Sequence, residues 1–405
     1  MTKTEQLIAM EERYGAHNYH PLPVVLCKGE GAFVWDVEGK RYFDFLSAYS
    51  AVNQGHCHPK IVKALCDQAQ TLTLTSRAFY NDVLGGFEKY MTEFFGYDRM
   101  LPMNTGAEGV ETALKLARRW GVVKKNIPND DVLIVCCEGN FHGRTLAIVS
   151  MSCDPDSYAN YGPLTPGFVR IPYNDAAALE KVLSEHGSRI AGFLLEPIQG
   201  EAGVFVPDKG YLKACYDLCK KHNVLFIADE VQTGIARTGK VLACDHEDVR
   251  PDVVILGKAL SGGVIPVSAV LCDDDIMLNI KPGEHGSTFG GFPLAGQVAM
   301  AALEVVKEEN LCEKAEYLGN IFREEMSKCK SERIELVRGV GLLNAVVIRP
   351  KAGKEAWDVC MRMRDLGILA KPTHGDIIRF APPLVITEEQ LREAIKLIIE
   401  AIETV

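Results

Sequence analysis

The 405-residue chain contains no apolar run of membrane-spanning length, no CxxC pair, no GxGxxG or Walker-type phosphate loop, no internal repeat and no low-complexity linker. Each absence removes a class of protein. A bilayer-crossing helix needs about 20 consecutive apolar residues, so no membrane partner is expected. Without a glycine fingerprint after the first strand, an NAD-dependent dehydrogenase on a doubly wound sheet is strongly disfavoured. The cysteines number thirteen, an odd count, and are scattered, with many inside apolar runs. That pattern suits small hydrophobes in a reducing compartment and not a disulfide framework. The first six residues lack a signal-peptide apolar core, and Glu5, Glu11 and Glu12 argue against a mitochondrial transit peptide, so a cytoplasmic location is expected. A net charge of −10 argues against nonspecific nucleic-acid binding.

What is present is ordinary in bulk. Apolar residues at 47% and charged residues at 24% predict a chain folded throughout, and its length predicts two or three lobes. Four short apolar runs, 132–137, 190–195, 224–229 and 252–256, are each followed by a polar, glycine-containing loop. Helical patterns stand between them, such as 211–222 with Leu212, Cys215 and Cys219 on one face. This alternation predicts a mostly parallel α/β sheet with its loops collected along one edge. Ahead of it, 32–37 and 41–46 flank Glu38-Gly39 as a hairpin. From about residue 300 the texture changes to long helices, a strand pair near 342–348 and a conspicuous loop, 371–379. The expected division is an N-terminal segment 1–48 too small to stand alone, a large domain 49–300, and a small α+β domain 301–405.

The chemistry gathers at the run ends. Val224 to Ala228 leads to Asp229, and Asp252 to Leu256 leads through Gly257 to Lys258. Buried charged groups need a partner or a purpose. A structural ion pair between the two is one reading. The other is a cofactor that uses both: pyridoxal phosphate needs an amine for a Schiff base and a carboxylate to keep its ring nitrogen protonated. Gly106 and Ala107 open an amphipathic helix whose first amides could hold a phosphate, although an ordinary cap at Asn104 or Thr105 explains the same residues. Phe141 could stack on a flat ring, and Arg144 could grip a carboxylate in two-pronged fashion. Gly55-His56-Cys57-His58-Pro59 invites a metal, but adjacent ligands on one turn rarely close a tetrahedral site.

Taken in order, Asn104–Arg118, Glu196–Gly203, Asp229–Lys240, Gly257–Gly263 and His285–Gly291 resemble the motif set of class III pyridoxal-phosphate aminotransferases. The resemblance implies the fold-type-I transferase architecture, with a large domain around a seven-stranded, mainly parallel sheet and a small domain from both chain ends. It also implies a homodimer with shared active sites, in which segment 1–48 joins the small domain and the subunit interface. Gly15–Val24, Ser47–Pro59, Leu72–Tyr80 and Ala370–Pro383 are most similar to the branch that moves the δ-amino group of L-ornithine to 2-oxoglutarate.

Carried onto this chain, the resemblance makes Lys258 the Schiff-base lysine and Asp229 the partner of the ring nitrogen. Phe141 and Val231 would sandwich the ring, and Gln232 would bond its phenolic oxygen. Gly106, Ala107 and Thr288 from the other subunit would hold the phosphate. Tyr19 and Arg144 would take the α-carboxylate of ornithine, with Tyr49 shaping the pocket. Arg379 would bind 2-oxoglutarate, and Glu201 would mask Arg379 while ornithine reacts. Two positions depart from the pattern: His142, where animal members tend to carry tryptophan, and Phe292, where the class usually shows asparagine. Transamination of acetylornithine or 4-aminobutyrate is the nearest alternative, and a cofactor-less interaction protein on the same fold is a distant one.

Overall fold

The computed structural model describes all residues, 1–405. The helix Lys3–Tyr14 is capped by the Thr2 hydroxyl and stops at Gly15. Strands β1 (Leu26–Glu30), β2 (Phe33–Asp36) and β3 (Arg41–Asp44) form an antiparallel meander whose second turn passes through Gly39 at φ +90°. The segment after it holds His56 and His58, and each ring meets one carboxylate: Asp44 at 2.7 Å and Glu309 at 2.9 Å. The helix Pro59–Ala69 then begins at Pro59, whose missing N–H costs nothing at a first helical position.

The central sheet comprises β4 (Arg99–Met103), β5 (Leu133–Cys137), β6 (Phe168–Ile171), β7 (Ile190–Leu195), β8 (Leu225–Asp229), β9 (Val253–Leu256) and β10 (Ser268–Cys272). Its spatial order is β4-β10-β9-β8-β7-β5-β6, parallel except for β10, which runs antiparallel to both neighbours. Every residue of β7, β8 and β9 is buried, because helices cover both faces. The helix Gly106–Lys125 packs Val110, Ala113, Leu114 and Ala117 on one face with Ile134, Ile227 and Ile255. Tyr211–Lys221 packs Leu212, Cys215 and Cys219 on the other with Phe193 and Phe226. Each fully buried Ile, Leu, Val or Phe contributes about 1.5–3 kcal/mol, which fixes these strands and therefore the loops at their carboxyl ends. β4 and β6 lie outside the predicted alternation. β4 carries Arg99 and Pro102 and β6 is a single edge strand of four residues, so neither shows a clean apolar run.

After the helices Pro293–Glu308 and Leu311–Lys328 come β11 (Ile334–Val340), β12 (Leu343–Ile348), β13 (Ile368–Leu369), β14 (Lys371–Thr373) and β15 (Ile377–Phe380). A second sheet has the order β11-β12-β15-β14, and β13 instead pairs in parallel with β3. The stretch 371–379, expected as a loop, is a hairpin closed by His374 at φ +48° and Gly375 at φ +84°. Two isoleucines ahead of Arg379 give β15 an apolar face that the loop reading overlooked.

One buried cation joins these parts. Arg237 is fully buried and bonds Asn53 Oδ1 at 3.1 and 2.6 Å, the Leu342 carbonyl at 3.0 Å and the Pro382 carbonyl at 2.7 Å. It faces no carboxylate within salt-bridge reach, and burial pushes its pKa down to about 9. Removing acceptors from such a group is strongly destabilising, so the three segments it touches are held together.

Candidate active site

Four strand ends converge on one cavity. β5 leads to the loop carrying Phe141 and His142, β7 to Glu196, β8 ends on Asp229, and β9 leads through Gly257 to Lys258. Gly106 and Ala107 line the same cavity from the start of their helix, with Val231, Gln232, Thr233 and Glu201 completing it. Ligands of open α/β sheets bind at this edge because the strand ends present groups there on a rigid support.

Asp229 is 5% exposed, and its Oδ2 lies 2.6 Å from His142 Nδ1, while Oδ1 accepts the Val231 N–H at 3.1 Å. Burial alone would lower the His142 pKa, but the hydrogen bond to Asp229 and the charges of Asp229 and Glu196 outweigh it, and the pKa is raised. Asp229 is therefore paired with an imidazole that favours its cationic form. Lys258 joins no ion pair with it, which removes the simple structural pair. Burial lowers the Lys258 pKa, against the attraction of Glu201 and Asp229. Its backbone sits at φ +44°, a left-handed conformation that a non-glycine residue holds at a cost of about 1–2 kcal/mol.

Glu196 accepts the Phe141 N–H at 2.9 Å and the Gly200 N–H at 3.3 Å. Burial raises its pKa to about 7, opposed by His142 and by those two N–H groups and assisted by Asp229. Neither the His142–Asp229 bond nor the role of Glu196 was assigned from sequence. The available signal was position: Glu196 directly follows a buried strand, and His142 lies in the loop after another.

The helix at Gly106 begins with a capping box. Thr105 Oγ1 accepts the Glu108 N–H, and Glu108 accepts the Thr105 and Asn104 N–H groups. The Gly106 and Ala107 amides remain without intrahelical partners. A Cβ at Gly106 would come within 2.9 Å of Val231, and one at Gly200 would overlap Gln232 Oε1 at 1.5 Å. Gln232 Oε1 is itself buried and unpartnered.

Behind Glu201 stands a second group, Arg379, Tyr49 and Arg144, none of which lines the cavity itself. Arg379, 5% exposed on β15, pairs with Glu201 at 2.7 and 3.3 Å. The Tyr49 ring lies 5.1 Å from the Arg379 guanidinium carbon. Ser47, Ala48, Tyr49 and Ser50 all have positive φ, from 46° to 72°, and no glycine among them announces it. Arg144 is exposed, donates to Ser157 Oγ at 2.9 Å, and lies 5.3 Å from the Phe141 ring. Tyr19, 75% exposed, and Thr288, itself exposed, do not line the cavity of this chain. Phe292, the second departure, caps the helix Pro293–Glu308 and packs edge-on against Phe289.

The aminotransferase class III family profile matches residues 14–402. The chain belongs to the class III aminotransferases. It is 62% identical over 395 residues to the mitochondrial ornithine aminotransferase of Rattus norvegicus, covering 98% of this chain and 90% of that one. The ornithine aminotransferase of Toxoplasma gondii, described with pyridoxal phosphate partly occupying its active site, is 50% identical with a TM-score of 0.97, covering 99% of this chain and 94% of that one. The acetylornithine aminotransferase of Elizabethkingia anophelis is 59% identical with a TM-score of 0.92 and full coverage of both chains. The fold expected of such an aminotransferase, with its seven-stranded sheet, is the one observed. The cytoplasmic expectation is overturned by the mitochondrial names of relatives such as the rat enzyme, which point away from the cytoplasm. The glutamates behind that expectation belong to the capped helix Lys3–Tyr14, so their charge reflects a folded element and not an address.

Proposed function

We propose that this class III aminotransferase transfers the δ-amino group of L-ornithine to 2-oxoglutarate, giving glutamate-5-semialdehyde and L-glutamate in two alternating half-reactions. The observation that carries this reading is the Glu201–Arg379 pair beside Lys258. One site must accept a diamino acid by its far amine and a dicarboxylate by its near end. A free buried arginine would draw the α-carboxylate of ornithine to the wrong place. A glutamate that can release it gives selectivity by competition.

The residues present fit pyridoxal phosphate. Free helix-start amides at Gly106 and Ala107 match its phosphate, the Gln232 side-chain amide could donate to its phenolic oxygen, and Phe141 and Val231 offer apolar surface to its ring. When bound, the cofactor supplies an electron sink for the carbon that loses its proton. Asp229, held in place by His142, would hold the proton on the ring nitrogen. Lys258 would bond the cofactor and then, once displaced and neutral, take the proton from Cδ of ornithine; its lowered pKa favours that base form. Arg144 and Tyr19 would orient the ornithine α-carboxylate, and Arg379 that of 2-oxoglutarate. Thr288 of a second copy would complete the phosphate site in a homodimer, consistent with its exposure here. The division into 1–48, 49–300 and 301–405 is part of this reading, supported by the parallel pairing of β3 with β13.

The test is the visible absorption band of the purified holoenzyme. Bleaching by L-ornithine and return with 2-oxoglutarate is the expected result. A band that responds to N-acetylornithine or 4-aminobutyrate and ignores ornithine would replace the substrate and keep the reaction class.

A further inference from the structure

Tyr49 owes its place to a turn that its own sequence does not favour. Left-handed backbone is disfavoured for any residue with a Cβ, yet Ser47 to Ser50 hold it in succession at φ +48°, +46°, +60° and +72°. The turn also leaves the Ser47 and Ser50 hydroxyls buried without partners. Its own bonds are few, the Tyr49 N–H to the Leu46 carbonyl at 2.9 Å and the Ala51 and Val52 N–H groups to the Ser47 carbonyl at 2.9 and 3.2 Å, and further support lies outside it.

That support is Asp44, which is buried at the end of β3. Its Oδ1 accepts the Leu46 N–H at 2.9 Å and the Ser47 N–H at 2.8 Å, fixing the chain where it enters the turn. Its Oδ2 is held by His56 Nε2 at 2.7 Å. His56 is in turn seated against Gly29, where any Cβ would come within 2.8 Å of the ring. On the far side, the Phe45 carbonyl accepts the Ala381 N–H at 2.8 Å, two residues beyond Arg379. The turn is thus tied to β3 by one carboxylate and to the Arg379 strand by one backbone bond.

We propose that Asp44, braced by His56, is a positioning residue for substrate selection. It keeps Ser47–Ser50 left-handed so that the Tyr49 ring backs the Arg379 guanidinium and holds it toward Glu201. The inference rests on the roles of Tyr49, Glu201 and Arg379 given above. It explains the His-Cys-His motif without a metal: His56 serves Asp44, and His58 serves Glu309. If the turn relaxes, the ring leaves Arg379, the pair with Glu201 loosens, and the half-reaction that needs Arg379 masked suffers more than the one that needs it open.

The experiment measures kcat/KM of the holoenzyme separately in the L-ornithine and L-glutamate half-reactions, and takes their ratio. Asp44→Ala is expected to lower the ornithine-to-glutamate ratio about tenfold, an effect of the size that one lost charge-assisted anchor produces. Adding Ala48→Gly to that variant should recover most of the ratio, because glycine adopts the left-handed conformation freely. Ala48→Val, which strains the turn without touching Asp44, should lower the ratio on its own and keeps the idea testable if Asp44→Ala does not fold. Equal losses in both half-reactions, or no recovery with glycine, would reduce Asp44 to a stabilising residue and overturn the inference. Indifference of the unmodified enzyme to ornithine would instead overturn the substrate reading, so the two failures are distinct.

Discussion

The wall of the cavity and the wall behind its Glu201 are made from different materials. On one wall Asp229, Glu196, His142 and Lys258 stand at or just past the ends of buried strands, and the first two are anchored by backbone N–H groups as well as by each other's neighbours. On the other, Tyr49, Arg144, Glu201 and Arg379 come from a strained turn, an exposed loop, a glycine-rich loop and a hairpin. On the proposed function the first wall would do the part of the chemistry common to all amino donors and gain from rigidity. The second must meet two unlike substrates in turn, and it is built from segments that side-chain motion can rearrange. Proton transfer is assigned to the sheet, and discrimination to its margins.

Breaking the first wall should be the graver injury. Lys258→Ala is expected to lower transamination by at least about 10⁴-fold, the loss of both covalent and acid–base catalysis, read as steady-state glutamate-5-semialdehyde formation. Retained turnover would sink the lysine's assignment. Arg379→Ala strikes the second wall and should reduce kcat/KM for 2-oxoglutarate about a hundredfold, as loss of a buried two-pronged carboxylate contact does. Single-turnover oxidation of ornithine should survive. Glu201→Ala should leave both half-reactions running and shift the choice between δ- and α-amine about tenfold toward the α-amine. An unchanged product ratio would dismiss the masking role.

The smallest effect is one of pH. Burial holds the Glu196 carboxyl at about 7, against an ordinary value of 4.5. A carboxyl whose folded pKa is raised binds more protons in the folded chain than in the unfolded one, so stability is highest below 4.5 and falls as pH rises toward 7. Glu196→Gln removes that slope. The thermal midpoint of the cofactor-free protein, relative to Glu196→Gln, should fall by a few degrees over that window. A flat difference would mean the carboxyl is already ionised at pH 4.5.

The first wall was largely legible in the sequence and the second only in pieces. Asp229 and Lys258 could be found because a buried parallel strand is a continuous apolar run, and a charge at its end is conspicuous. The hairpin about Gly39 and the helix after His58 were legible through their turn and cap residues. The His142–Asp229 bond was not, because it joins strands that are not neighbours in the sheet. The left-handed turn was invisible for a plainer reason: Ser-Ala-Tyr-Ser carries no residue that prefers positive φ, and its support comes from Asp44 and from a strand over 300 residues away. The hairpin bearing Arg379 was taken for a loop because histidine and glycine at its tip outweighed two isoleucines.

Arg237 adds a constraint on timing. Its guanidinium is shared by the segment at Asn53 and by the carbonyls of Leu342 and Pro382. To swing the hairpin of Arg379 away from the central sheet, the protein would have to strip a buried cation of these acceptors at once. The frame is therefore expected to stay shut through both half-reactions. On the proposed function, what would alternate is the rotamer of the Glu201 carboxylate, and rotamer changes take nanoseconds where domain hinges take microseconds or longer. The enzyme can change substrates without breathing.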